Sequence, residues 1–386
     1  MQVSRPFILA AIAGLLILGF FLVFHRPGAS LSQTSSNQPA DKKSQPPTPT
    51  SSFPGSVPAS LSSPSPENGF RSESPALAAI ESAIAALRKG TPEENAATLA
   101  KLQQELESLS SREAIAAVRK FLESGQDAAT GLAFVVGSGG ALDSAPTLRV
   151  FLLDELAALA KAGGDPQASL SVARQVLDTP TTPDEWAVAM RNVAWADKNS
   201  ANFLNEKFKE LVSNPDWAKN PSTGLLEAFD IPVFTHDTSA IPWLASVLPQ
   251  QGNPESRAAA VALDRMAEQA PLGVMAYLNA NPSTLADKPM LRADYFTKAD
   301  LTDPAQKAAV ESYLARGDVT ATEKSKVVEG LACPGSFVSD NLLTVSTPPD
   351  SDARLRALEK AAADWQSRFP AVAAQLKTIL SNIQQP

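Results

Sequence analysis

The sequence predicts an all-α protein: an irregular α-solenoid of stacked helix pairs, carried behind an N-terminal transmembrane helix and a disordered linker. Three observations predict it. Phe7 to Phe24 is an uncharged apolar run of eighteen residues, the stretch that follows is crowded with proline and serine, and beyond residue 75 the apolar residues recur at helical spacing. The expected layout is a short tail at 1–6, a signal-anchor helix at 7–24, a linker at 25–74 and an all-helical, repeat-like domain at 75–386.

Phe7 to Phe24 reads FILAAIAGLLILGFFLVF, with nothing more polar than glycine. At about 1.5 Å of rise per residue a helix of that length spans roughly 27 Å, close to the hydrocarbon thickness of a bilayer. Arg5 and the amino terminus supply the positive charge expected ahead of such a core, which favours a cytoplasmic amino end and an extracytoplasmic, periplasmic, remainder. Arg26, Lys42 and Lys43 on the far side weigh against that orientation. A cleavable signal peptide is the alternative, with Gly28 and Ser30 as the small residues before the cut; its usual core is shorter than this one.

From Pro27 to Pro75 there are ten prolines and fourteen serines in 49 residues, with few aliphatic side chains. Such a segment buries too little surface to offset its chain entropy, so it is expected to be a disordered stalk with a root-mean-square reach of roughly 40 Å.

Helical periodicity begins immediately afterwards. Leu77, Ile80, Ile84 and Leu87 form one apolar stripe, Leu99, Leu102, Leu106 and Leu109 a second, and Ile115, Val118 and Leu122 a third. The heptad pattern breaks at Gly90, which favours a helical hairpin over a coiled coil. Helix starts are strongly marked. Thr91 to Glu94 and Thr182 to Glu185 read as capping boxes with proline at the first helical position, and Ser110 to Glu113 and Thr320 to Glu323 as boxes without it. Asp165, Asn253 and Asp303 each stand before a proline and repeat the logic. The acid pairs Glu93/Glu94 and Asp184/Glu185 therefore have a structural cause in capping and the helix dipole before any catalytic one.

Ala240-Ile241-Pro242-Trp243-Leu244-Ala245-Ser246-Val247-Leu248, a turn, and Asn253-Pro254-Glu255-Ser256-Arg257-Ala258-Ala259-Ala260-Val261-Ala262-Leu263 resemble a HEAT repeat. That family commonly carries a proline after Ala-Ile in its first helix and Asp-Pro-x-x-Arg before its second; Asn253 here replaces the aspartate. The likeness is clearest over about residues 238–269, and Glu113 to Val118 looks like a poorer first helix. It implies a solenoid of helix pairs presenting a surface to a partner.

Composition narrows the function. The net charge is −8, and beyond residue 75 there are 28 Lys/Arg against 38 Asp/Glu, with no basic cluster interleaved with aromatics, so no nucleic-acid partner is expected. Cys333 is the single cysteine, which excludes an intrachain disulfide and a cysteine-built metal centre; its Gly-Leu-Ala-Cys-Pro-Gly context reads as a buried helix terminus. His25 and His236 are the two histidines, and Thr235-His236-Asp237 reads as a loop histidine beside a helix cap. Leu132 to Val136 followed by Gly137-Ser138-Gly139-Gly140 has the look of a strand and phosphate loop but lacks the Lys-Ser/Thr that would complete it, and is read as a loop or buried turn. The five tryptophans, Trp186, Trp195, Trp217, Trp243 and Trp365, are expected to be core, with the lining of a ligand or peptide groove as the alternative.

The sequence thus assigns no catalytic, cofactor-binding or metal residue and implies no cofactor. The function it supports is a single-pass, membrane-anchored helical-repeat scaffold that binds a protein or other cell-envelope macromolecule. A hydrolase working through carboxylates and a passive structural spacer are the alternatives.

Overall fold

A computed structural model describes residues 74–179, 181–248, 252–332, 341–345 and 350–383. Every described residue belongs to one compact unit, 70–386. The expected anchor at Phe7 to Phe24, the linker, His25 and Cys333 lie outside the described residues. Among the described residues no helix is long and apolar enough to cross a membrane.

The described part is all-helical apart from one small hairpin. It opens with α1 (Pro75–Leu87), α2 (Pro92–Glu107) and α3 (Ser111–Glu123). Their apolar stripes turn inward as the spacing predicts: Ile80, Ile84 and Leu87 on α1, Leu99, Leu102 and Leu106 on α2, and Val118 and Leu122 on α3 are buried. Full burial of each such side chain favours folding by about 1.5–3 kcal/mol. Thr91 and Glu94 form a complete capping box, with Glu94 N donating to Thr91 Oγ1 at 3.3 Å and Thr91 N to Glu94 Oε2 at 2.8 Å.

Between α3 and the next helix the structure departs from the expected loop. Val135–Val136 (β1) pairs antiparallel with Leu142–Ser144 (β2) across a 3₁₀ turn at Ser138–Gly140. Gly139 and Gly140 take φ of 74° and 86°, the left-handed region that glycine enters without a Cβ clash. The ladder is too short to leave an alternating pattern in the sequence.

The remaining helices are α4 (Leu148–Ala162), α5 (Pro166–Leu177), α6 (Pro183–Ala196), α7 (Ala201–Ser213), α8 (Pro215–Lys219), α9 (Thr223–Glu227), α10 (Asp230–Phe234), α11 (Ile241–Val247), α12 (Pro254–Gln269), α13 (Pro271–Ala280), α14 (Pro289–Phe296), α15 (Pro304–Ala315), α16 (Ala321–Ala332), α17 (Ser351–Arg368) and α18 (Ala373–Ile383). Five of these fifteen begin at proline behind a capping side chain, at Asp165, Thr182, Asn214, Asn253 and Asp303. Packing is mainly between neighbours one or two places apart along the chain, for example α5 with α6, α4 with α6, α12 with α13, α14 with α16 and α17 with α18. A single buried cluster runs through these contacts from Ala76 to Ile379. The segment that resembles a HEAT repeat contains α11 and α12, which pack on each other.

Of the four expected capping boxes only Thr91 to Glu94 is complete, and two of the half-formed ones have an evident cause. Thr182 and Thr320 accept from the backbone N–H of Glu185 and Glu323, but those glutamates turn inward to buried arginines and do not reach back to the cap. Asp184 is likewise diverted, accepting from Gly224 N at 2.8 Å. An arginine withdrawn from water needs an anion more strongly than a helix N-terminus does.

Candidate functional site

The hairpin, α4 and α6 build the candidate site. α4 carries two acids, Asp154 and Glu155, inside the otherwise apolar run Leu152-Leu153-Asp154-Glu155-Leu156-Ala157, and both are buried. α6 carries Arg191, which is fully buried. Asp154 Oδ1 lies 2.5 Å from Arg191 Nη1, and Asp154 Oδ2 accepts from Leu142 N at 3.1 Å. Arg191 also donates to Gly140 O at 2.7 Å and to Asn192 Oδ1, while Asn192 Nδ2 donates to Leu153 O at 2.8 Å. One ion pair therefore clips the hairpin to two helices.

Trp195 stands one helical turn beyond Arg191, with the guanidinium carbon 4.2 Å from its ring centroid. It is 43% exposed, which corrects its assignment to the core. The cause is the hairpin tip: Gly140 comes so close that a Cβ there would lie 3.3 Å from the Trp195 ring, and Arg191 occupies the space beneath it. The other tryptophans pack as expected. Trp186 and Trp365 are buried, with Trp186 Nε1 donating to Thr179 O and Trp365 Nε1 to Glu311, and Trp217 and Trp243 pack partly buried against the core.

Trp195 separates two hollows that share Ala141, Ala158 and the indole itself. The larger, about 680 Å³, is lined by Ala157, Ala160 and Ala196, with Lys161, Ser169 and Asn192 as polar members. Alanines on facing helix surfaces leave the room that larger side chains would fill. Ser169 is 3% exposed, and its hydroxyl makes no hydrogen bond to any described residue. The smaller, about 260 Å³, lies between the α2 face Ala96-Leu99-Ala100-Gln103 and the α4 face Phe151-Asp154-Glu155-Ala158, closed by Ala141 to Ala145 of the hairpin.

Glu155 sets the electrostatics of the smaller hollow. Burial first, then Asp154 and Glu107, push its carboxyl up to about 7. Its raised carboxyl is acted on by burial and by neighbouring charge alone, with no hydrogen bond among the causes. Arg191 does not relieve it, because that guanidinium is already shared among Asp154, Gly140 and Asn192.

The other residues weighed from sequence are accounted for elsewhere. His236 sits in the turn after α10 with φ of 54°, and Asp237 caps the next turn by accepting from Ser239 N at 3.0 Å. Glu227, also raised by burial and by Asp230, lines a separate hollow of about 360 Å³ where Arg265 offsets the rise. The two raised carboxyls therefore lie in different places, and Asp154, the acid nearest Glu155 in the chain, is held by Arg191. Among the described residues no group of histidine, cysteine or carboxylate side chains could hold a metal ion. Sequence reasoning missed Trp195, Arg191 and Glu155. The available signal was the acid pair inside the most apolar helix. Compared with family models, with curated proteins and with solved structures, the chain matches none.

Proposed function

We propose that the helical part is a membrane-tethered, solenoid-like scaffold that binds an extended segment of another protein in the two hollows beside Trp195. The observation that carries this reading is a large aromatic side chain held rigidly at the surface between two connected hollows. A well-packed domain gains by burying tryptophan, and an exposed, braced indole is the usual anchor of a recognition surface. The packing of each helix against near neighbours in the chain, and the likeness of residues 238–269 to a HEAT repeat, support the solenoid architecture. The apolar run Phe7 to Phe24 supports the tether, and the proline-rich stretch after it a stalk that keeps the binding face clear of the bilayer.

The test is selection of a phage-displayed library of random dodecapeptides against the whole chain in mild detergent, repeated with Ala158→Met. Ala158 is exposed and common to both hollows, so methionine fills them without disturbing the helix. Selected peptides are expected to lose at least about tenfold in affinity for A158M, the equivalent of one removed anchor contact. Peptides that bind both chains equally would overturn the reading, and turnover of a substrate by the purified chain would replace it with the hydrolase.

A further inference from the structure

We propose that the smaller hollow takes a basic side chain, lysine or arginine, of the bound segment, while apolar residues flanking it lie on Trp195 and in the larger hollow. This rests on reading the Trp195 hollows as a protein-binding seat, and adds the chemistry of what the seat selects.

Three observations converge on a cation. The first is the charge around the hollow. α4 contributes Asp154 and Glu155, the hairpin contributes Asp143, and Glu107 at the end of α2 adds its charge to that around Glu155; none of the described residues lining the hollow is a cation, and Arg191 of α6 pairs with Asp154. The second is that Arg191 is spent. Its guanidinium is fully buried and bound to Asp154, Gly140 and Asn192, so it cannot swing to Glu155. The third is Glu155 itself: 6% exposed, lining the hollow, and without a donor among the described residues. A carboxyl drawn largely out of bulk water with no donor from the fold beside it is disfavoured in its ionised form. A guanidinium or ammonium entering the hollow would supply the missing donor, and its aliphatic stem would lie against Phe151, Ala158 and the edge of Trp195. A metal ion is a poorer fit, since the acids do not form a ligand set. An acidic or neutral side chain would leave Glu155 as it is.

The neighbouring hollow fixes what stands beside the cation. Its walls are mainly alanine and the indole, with Lys161 and Asn192 as polar members, its volume is sufficient for one or two apolar side chains, and the unpartnered Ser169 hydroxyl offers one hydrogen bond to backbone laid across it. The predicted motif is thus a lysine or arginine with apolar neighbours. A basic segment also suits the acidic balance of the chain beyond residue 75.

Binding of such a cation ionises Glu155, so association releases a proton near neutral pH. For a carboxyl at about 7 that is fully ionised in the complex, affinity is expected to rise about tenfold between pH 6 and pH 8. The experiment takes the selected dodecapeptides, measures affinity and proton release by calorimetry in two buffers at both pH values, and repeats this with citrulline or norleucine in place of the basic residue and with Glu155→Gln. Gln keeps the shape and removes the charge. A shared basic residue, an affinity loss of about tenfold or more on its replacement, and a flat pH profile with no proton release in E155Q would support the proposal. Selected peptides that are neutral or acidic, or basic peptides that bind E155Q with the same affinity and pH profile, would overturn it while leaving the seat intact. Peptides indifferent to A158M would overturn seat and proposal together.

Discussion

Replacing Glu185 by alanine is expected to be among the most damaging single changes in the chain, although the residue reads from sequence as a surface member of a capping box. Arg149 of α4 meets the Glu185 carboxylate through Nε at 3.1 Å and Nη2 at 2.9 Å, and donates Nη1 to Leu122 O at 2.7 Å. Both side chains are more than nine-tenths buried. Glu185→Ala would strand the guanidinium between α3, α4 and α6 with only the Leu122 carbonyl as partner, and loss of one member of a buried pair costs about 3–5 kcal/mol. Spread over a domain of this size, that is a fall of about 6–10 °C in Tm. The measurement is urea denaturation of the whole chain in mild detergent, followed by far-ultraviolet circular dichroism. The double variant Arg149→Met/Glu185→Met provides the control: replacing the pair by apolar side chains of similar volume should cost much less than the single alanine change. A loss under about 1 kcal/mol for E185A, or a double variant as unstable as the single, would refute the account of a buried ion pair and return Glu185 to the helix cap.

Two further outcomes follow from the site. Glu155 has its folded-state carboxyl raised to about 7, so the protonated form favours folding; that contribution is complete below the unfolded value near 4.5 and is lost as pH rises through about 7. Glu155→Gln is therefore expected to stabilise the chain by about 3 kcal/mol at pH 8 and to leave it unchanged at pH 4, and equal effects at both would contradict the assignment. Gly140→Ala is expected to cost more than about 2 kcal/mol in the same urea titration, because φ is 86° and the new Cβ would meet Leu342 O, whereas Gly139→Ala, with open space around it at φ of 74°, should cost about 1 kcal/mol.

What was legible in the sequence is what depends on near neighbours in the chain. The stripes of α1 to α3 and the caps at Thr91, Asp165, Asn253 and Asp303 are set by residues three or four apart, and each stands where the spacing puts it. What escaped depends on pairing at a distance. Arg191 reaches Gly140 over 51 positions, Arg149 reaches Glu185 over 36, and Arg265 reaches Thr344 over 79. The hairpin escaped for a related reason: two residues facing three cannot show an alternating pattern. Trp195 escaped because a tryptophan on a helix face reads as core until the residues that occupy the core beneath it are known.

The buried arginines also explain why the Asp154–Glu155 pair stands apart. Arg149, Arg191, Arg265 and Arg292 are each more than nine-tenths buried and each sits beside a carboxylate from another helix; Arg191, Arg265 and Arg292 also bond a connecting segment, and Arg149 the last turn of α3. For Arg292 the partners are Glu323, the Tyr313 hydroxyl and Pro282 O; for Arg265 they include Asp230 and Thr344, with Asp230 accepting from the backbone of Leu343 and Thr344. In an array without a sequence repeat these clamps fix which helix meets which, since a slipped register would leave a charge unpaired in the core. At Arg149 and Arg292 one acid faces one arginine. At Arg191 two consecutive acids enter the same apolar helix. Successive helical positions point about 100° apart, so Asp154 can face α6 while Glu155 faces α2, where none of the described lining residues is a cation. The second acid strengthens no clamp and raises the energy of the folded chain. A residue that costs stability, lines a hollow and borders an exposed tryptophan has the character of a functional group held ready for something from outside.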